Sequence, residues 1–266
     1  MTISKSIQAT QREGEKVLDQ IVIIKCGGSV LKSLQPSFFQ RLKEMEEEGK
    51  KIILVHGGGP DITKYMTALS IPVQFIDGVR RTSGQAAETA EMVLAGQLNP
   101  WFVYQLNQLG LKAIGLNGND GALLECDYLK KEQWGHVGKV VSVNKGTLTQ
   151  LMSAGFIPVI ASVSRNLIGD ILNLNADTVA FEVASAMEAE SLIFVTDVDG
   201  ILAEGKTVEK ATTSSIQKLI ETGIITGGMI PKVEAALNCL QSKIKEIQIV
   251  GKELNGTLIV KEEVFS

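Results

Sequence analysis

A chain of 266 residues, 44% of them hydrophobic, can bury a large core and suits one α/β domain or two lobes sharing a sheet. Its 26 basic residues are outnumbered by 30 acidic ones and form no basic block, which argues against nucleic acid or an anionic membrane as partner and for a small molecule. No apolar run approaches the roughly 18 residues that cross a bilayer, and the polar start MTISKSIQATQREGEK lacks the apolar core of a secretory signal, so a soluble cytoplasmic protein is expected.

In chain order, residues 1–20 carry only a few spaced apolar positions and read as a tail or a weak surface helix. Ile21–Lys25 is a continuous β-branched run of the kind a strand covered on both faces requires. After a KCGGS turn, Pro36 opens a helix whose apolar residues recur at helical spacing as far as Gly49. A second buried strand, Lys51–Val55, ends in His56-Gly57-Gly58-Gly59-Pro60, and a helix follows over 60–69. This order of strand, crossover helix, strand and helix points to a mainly parallel sheet.

Residues 71–82 alternate about an Asp77-Gly78 turn and predict a hairpin. Residues 85–109 read as helical with a break at Asn99-Pro100, and a short strand follows at 112–116. An excursion over 122–143 reads as a hairpin turning through Gly135-His136-Val137-Gly138. A helix at 146–154 and a strand at 156–161 come next. Asn173–Asp177 opens a helix to about Glu188, and the apolar strand 191–196 ends in Asp197-Val198-Asp199-Gly200. Helices at 213–222 and 231–242 and strands near 246–250 and 257–260 complete two lobes on one continuous sheet, 21–172 and 173–266.

The chemistry gathers at glycines. Lys25 precedes Gly27 and Gly28, and Lys232 opens a helix just after Gly227 and Gly228, so two cations from opposite ends of the chain can converge on one anion held by exposed N–H groups. The three glycines of HGGGP exceed what a turn needs and suit close approach to an anion. GxGxxG does not occur, which removes support for a dinucleotide reading. Arg80 suits a two-pronged grip on a carboxylate, or is one of a solvated surface pair with Arg81. Asn173 and Asn175 fit helix caps, and Asp177 an answer to the helix dipole. Asp197 and Asp199 sit where open α/β sheets place ligands, or merely make a turn. Cys26, Cys126 and Cys239 form no CxxC pair and read as buried thiols. Cys26 is the one that a local positive field would make reactive.

Six motifs in order, KCGGS (25–29), VHGGGP (55–60), DGVRRT (77–82), NLNAD (173–177), TDVDGI (196–201) and ITGGMIPKV (225–233), resemble the amino acid kinase family over nearly the whole chain from Ile21. The resemblance implies a three-layer αβα sandwich about a mainly parallel open sheet. It implies that ATP, with Mg²⁺, phosphorylates the γ-carboxylate of N-acetyl-L-glutamate. Lys25 and Lys232 would flank the phosphoryl group, with Asp177 orienting both ammonium groups. Gly58, Gly59, Arg80 and Asn173 would bind the acid. Gly27, Gly28, Asp197, Val198, Asp199, Gly200, Ile201, Leu202, Ile224, Ile225, Thr226, Gly227, Gly228 and Met229 would line the nucleotide site. The lead of only 20 residues and an abbreviated C-terminus suggest a homodimer rather than a ring. The rivals are the same chemistry on N-acetyl-aminoadipate, and a metabolite sensor without turnover. An ionised γ-carboxylate needs no general base at pH 7, consistent with a sequence that shows no His-Asp or Ser-His pair.

Overall fold

The computed structural model describes residues 21–203, 205–225, 229–240 and 244–262, without the side chains of Met229, Pro231, Lys232 and Ala235. The expected tail or weak helix at 1–20 lies outside the described residues. The first half runs β1 (Ile21–Cys26), α1 (Pro36–Glu47), β2 (Lys51–His56), α2 (Gly59–Ala68), β3 (Gln74–Ile76), β4 (Val79–Arg81), α3 (Gly84–Glu91), α4 (Asn99–Gln108), β5 (Ala113–Leu116), β6 (Leu124–Tyr128), α5 (Lys131–Trp134) and β7 (Val137–Val143). The second half runs α6 (Lys145–Ser153), β8 (Ile157–Ala161), β9 (Val163–Arg165), β10 (Ile171–Leu174), α7 (Ala176–Ala186) and β11 (Ser191–Val195). It ends with β12 (Leu202–Ala203), β13 (Lys206–Thr207), β14 (Lys210–Thr212), α8 (Thr213–Glu221), α9 (Met229–Leu240), β15 (Glu246–Val250) and β16 (Gly256–Val260).

Eight strands form the main sheet in the order β14-β16-β15-β11-β1-β2-β8-β5, parallel throughout except where β15 meets β16. The run IVIIK is apolar at every step because β1 is covered on both sides. Ile21 and Ile23 enter one core while Val22 and Ile24 enter the other. Since β1 has β2 on one flank and β11 on the other, the chain reverses its winding there, and open α/β sheets leave their ligand crevice at such a point. Cys26 pairs with both His56 and Val195, so the loops after β1, β2 and β11 emerge together at one edge.

Three expectations need correction. The helix expected to break at Asn99-Pro100 instead runs on, because Met92–Leu98 widens into a π-helix just ahead of the proline. Pro100 has no N–H to offer and its ring crowds the carbonyl four residues back; a wider turn accommodates both. The excursion over 122–143 is a hairpin, but Val137 and Gly138 belong to β7 and the turn carries α5. A second sheet, β6-β7-β10-β9, also contains strands the sequence did not announce at 163–165 and 171–174. They are short and punctuated by Ser, Arg and Asn, so no period-2 signal develops. Asn173 accordingly lies on a strand and caps nothing.

The π-helix has a second consequence. It delivers Asn99 into the core, where Nδ2 donates to the Val159 carbonyl at 2.8 Å and to His56 Nε2 at 3.1 Å. His56 Nδ1 in turn donates to the Gly57 carbonyl at 3.1 Å. The imidazole is fully buried, and burial pushes its pKa down from 6.5 to about 4. Above pH 6.5 both folded and unfolded chains hold it neutral. Below that the unfolded chain takes a proton that the folded one refuses, so stability falls between pH 6.5 and 4, by about 3 kcal/mol at the acid end. Urea unfolding of the wild type and His56→Gln at pH 7 and pH 5 should show a wild-type loss that the variant largely lacks; parallel losses would refute the assignment.

Candidate active site

At the shared edge of β1 and β2 lies a cavity of about 230 Å³, lined by Lys25, Gly28, Gly57–Gly59, Arg80, Asn173 and Asp177, with Leu94, Val137 and Ser162 among its walls. Its size suits a small molecule rather than a polymer. Lys25 is the penultimate residue of β1 with its side chain mostly buried, and its Nζ lies 2.8 Å from Asp177 Oδ1. Asp177 occupies the first turn of α7, and Asn175 is the cap of that helix, its side-chain oxygen accepting from the N–H groups of Asp177 and Thr178. Capping thus accounts for Asn175. Asp177 does more than answer the dipole, because it also pairs with Lys25.

The two glycine turns touch. A Cβ on Gly28 would lie 2.8 Å from Gly58 Cα and from the nitrogens of Gly58 and Gly59. A Cβ on Gly58 would meet Leu98 at 2.4 Å and Leu94 at 2.8 Å, both carried by the π-helix. None of Gly27, Gly28 and Gly57–Gly59 has a positive φ, so at Gly28 and Gly58 glycine is required for close approach and not for an unusual backbone, whereas a Cβ on Gly27 or Gly59 would meet nothing closer than 3.4 Å. The outcome is a strip of backbone with N–H groups unscreened by side chains beside the Lys25 ammonium, a suitable seat for an oxyanion.

Opposite stands Arg80 on β4. Its side chain is almost wholly buried, with Nη2 donating to the Gly59 carbonyl at 3.0 Å and to Thr63 Oγ1 at 2.7 Å, while the guanidinium lies 4.8 Å from the Phe75 ring centroid. Burial presses its pKa down. Among the described residues no carboxylate lies within 4.0 Å of it. A desolvated guanidinium held by neutral groups is costly unless an anion joins it. Arg81 points elsewhere, 3.4 Å from Gln74 Oε1 and exposed.

Not every expected residue gathers here. Gly27 is outside the cavity walls, and Asp197 and Asp199 line a different cavity, about 710 Å³, with Glu209 and Lys252. Val198 is half-buried, Gly200 packs against Thr257, Ile201 is in the core with its N–H donating to Thr257 Oγ1 at 2.8 Å, and Leu202 is exposed. Ile224 is exposed and Ile225 buried. Thr226, Gly227 and Gly228 lie outside the described residues, as do the side chains of Met229 and Lys232, whose backbone belongs to α9. Cys26 overturns its expectation: complete burial pushes its thiol up to about 12, and Lys25 offsets only part of this. It is inert packing, as are Cys126 and Cys239. Leu94, Val137 and Ser162 were missed, because helical or strand patterning marks such positions only as core.

With fold and site in view, the class follows: the chain belongs to the amino acid kinase family, which it matches over residues 20–251. Among individual proteins it is similar to acetylglutamate kinases, 45% identical to that of Geobacillus sp. WCH70 and 44% to that of Bacillus subtilis 168, each over 92% of this chain and 98% of the relative. A Streptococcus mutans UA159 protein of known crystal structure superposes with a TM-score of 0.82 at 35% identity, covering 91% of this chain and 98% of that one.

The contact between the two turns carries a prediction. Gly28→Ala forces backbone atoms apart and should destabilise the fold by about 1–3 kcal/mol while lowering turnover at least tenfold. Gly96→Ala, where a Cβ meets nothing within 4 Å, should leave both unchanged. Wild-type melting and turnover in Gly28→Ala would show that the turns need not touch.

Proposed function

We propose that this chain transfers the γ-phosphoryl group of ATP to the γ-carboxylate of N-acetyl-L-glutamate, giving N-acetyl-L-glutamyl 5-phosphate and ADP, a step of arginine biosynthesis. The observation that carries the reading is the convergence on one cavity of the Lys25–Asp177 pair, bare glycine N–H groups and a buried Arg80 without a counter-ion. Arg80 and Asn173 hold the acid, Arg80 by a carboxylate, beside Gly58 and Gly59. Lys25 sits where charge builds on the transferring oxygens, and Asp177 fixes its ammonium. Catalysis of this kind is positioning and electrostatics, since an ionised carboxylate attacks without a base.

Lys232 is the second cation of the proposal. Val233, Ala236, Cys239 and Leu240 of α9 are buried in the same core as Val179, Ala180 and Val183 of α7, which supports bringing the helix of Lys232 toward Asp177. Residues 21–172 would hold the acid and 173–266 the nucleotide, with the 197–202 and 224–229 segments toward ATP. Among the described residues no group of three or more His, Cys, Asp and Glu could hold a metal. A Mg²⁺ bound chiefly to the nucleotide phosphates would offset their charge. No described helix is long and apolar enough to cross a membrane. A cytoplasmic homodimer completes the reading, with exposed Met92 and Tyr104 offering apolar area for a second copy.

Trapping of the acyl phosphate by hydroxylamine tests this: the purified chain with ATP should yield hydroxamate from N-acetyl-L-glutamate and far less from N-acetyl-aminoadipate, and the reverse order would reassign the substrate. Lys25→Ala should lower kcat by about 10²-fold or more with an unchanged melting temperature, the worth of one preorganised donor. Near-wild-type turnover in that variant would remove Lys25 from the chemistry.

A further inference from the structure

Thr82 does not line the cavity, yet it is hydrogen-bonded to both Arg80 and Asn173, which do. It follows β4 directly and is fully buried. Its hydroxyl donates to the Arg80 carbonyl at 2.9 Å and accepts from Asn173 Nδ2 at 3.4 Å. Its backbone is clasped by the end of α5 and the residues just after it: the Thr82 N–H donates to the Trp134 carbonyl at 2.9 Å, and the His136 N–H donates to the Thr82 carbonyl at 2.7 Å. The Thr82 carbonyl lies so close to Gly135 that a Cβ there would sit 2.3 Å from it, at a φ of +67°. The His136 carbonyl then accepts from the Asn173 N–H at 2.9 Å, closing a ring from β4 through 134–136 to β10 and back to β4 through the side chains.

We propose that Thr82 is a positioning residue that sets Arg80 and Asn173 in register with each other for the acid substrate. The need is physical. β3 and β4 form only a two-stranded ribbon of three residues each, separate from both larger sheets, and such a ribbon is marginal in isolation. Something must fix the Arg80 backbone relative to β10. One hydroxyl with one proton and two lone pairs can do so while donating in one direction and accepting from the other. The same contact holds the Asn173 amide in one orientation, which a freely rotating side chain would lose. Because the Thr82 hydrogen bonds go to Arg80, Asn173 and residues 134–136, and Lys25 is reached through β1 instead, the effect should fall on acid binding and spare the nucleotide.

The inference rests on the functional reading above, and the test separates the two. Thr82→Val keeps the shape and deletes the hydroxyl; Thr82→Ser keeps the hydroxyl. In steady-state assays Thr82→Val should raise KM for N-acetyl-L-glutamate about tenfold, with KM for ATP within about twofold and kcat lowered less than KM is raised, and Thr82→Ser should restore most of the loss. Calorimetric titration of N-acetyl-L-glutamate should show the same weakening without relying on turnover. If Thr82→Val does not fold, judged by thermal melting, Thr82→Cys takes its place, its thiol being buriable but a poor hydrogen-bond former. Unchanged acid binding, an equal loss for both substrates, or a serine variant as impaired as the valine one would each overturn the positioning role. A wild type that neither binds nor phosphorylates the acid would overturn the functional reading, and this proposal with it.

Discussion

The site depends on a contact between two backbones. Parallel pairing of β1 with β2 aligns Cys26 with His56, so the chain leaves both strands at the same height, and the next residues must occupy adjoining space. Gly28 therefore lies against Gly58 and Gly59 at a separation that no side chain could share. Packing closes the floor beneath: Leu94 and Leu98 reach Gly58 only because the π-helix before Pro100 rotates them there, and the neutral His56–Asn99 link ties the same helix to the end of β2. A run of N–H groups is thus held rigid by atoms that take no part in binding.

Charge is then distributed around this strip by different means on its two sides. Lys25 is supplied by a central strand and neutralised by Asp177, which the capped start of α7 holds in place. Arg80 is supplied by a small ribbon and neutralised by nothing among the described residues, its hydrogen bonds going to a carbonyl and a hydroxyl. The first arrangement is a fixed ion pair that can steer an ammonium. The second leaves unmet electrostatic demand, which is what a site for an anionic substrate needs.

Seven of the eight strands of the main sheet were legible, because a β-branched run such as Ile21–Ile24 suits a strand buried on both faces; the edge strand β14, only three residues long, was not. The glycine turns were legible because three consecutive glycines after a strand are rarely structural, although the cause proved to be closeness of backbones and not positive φ. The second sheet was not legible, since β9 and β10 have three and four residues with polar ones among them. The reactivity expected of Cys26 failed for a related reason. A neighbouring Lys is visible in the sequence, whereas complete burial, the larger effect on the thiol, is a property of the packed core.

By itself the sequence determined most strands of the main sheet and the longer helices, where glycine replaces a side chain, and which cations and carboxylates are available, because these follow from local periodicity and residue chemistry. Only the tertiary structure decided that Asp177 meets Lys25, that Arg80 is buried without a counter-charge, and that Asp197 and Asp199 face another cavity. Those are distances between residues far apart in the chain, and strand order, which sets them, is a global outcome of which apolar faces bury one another.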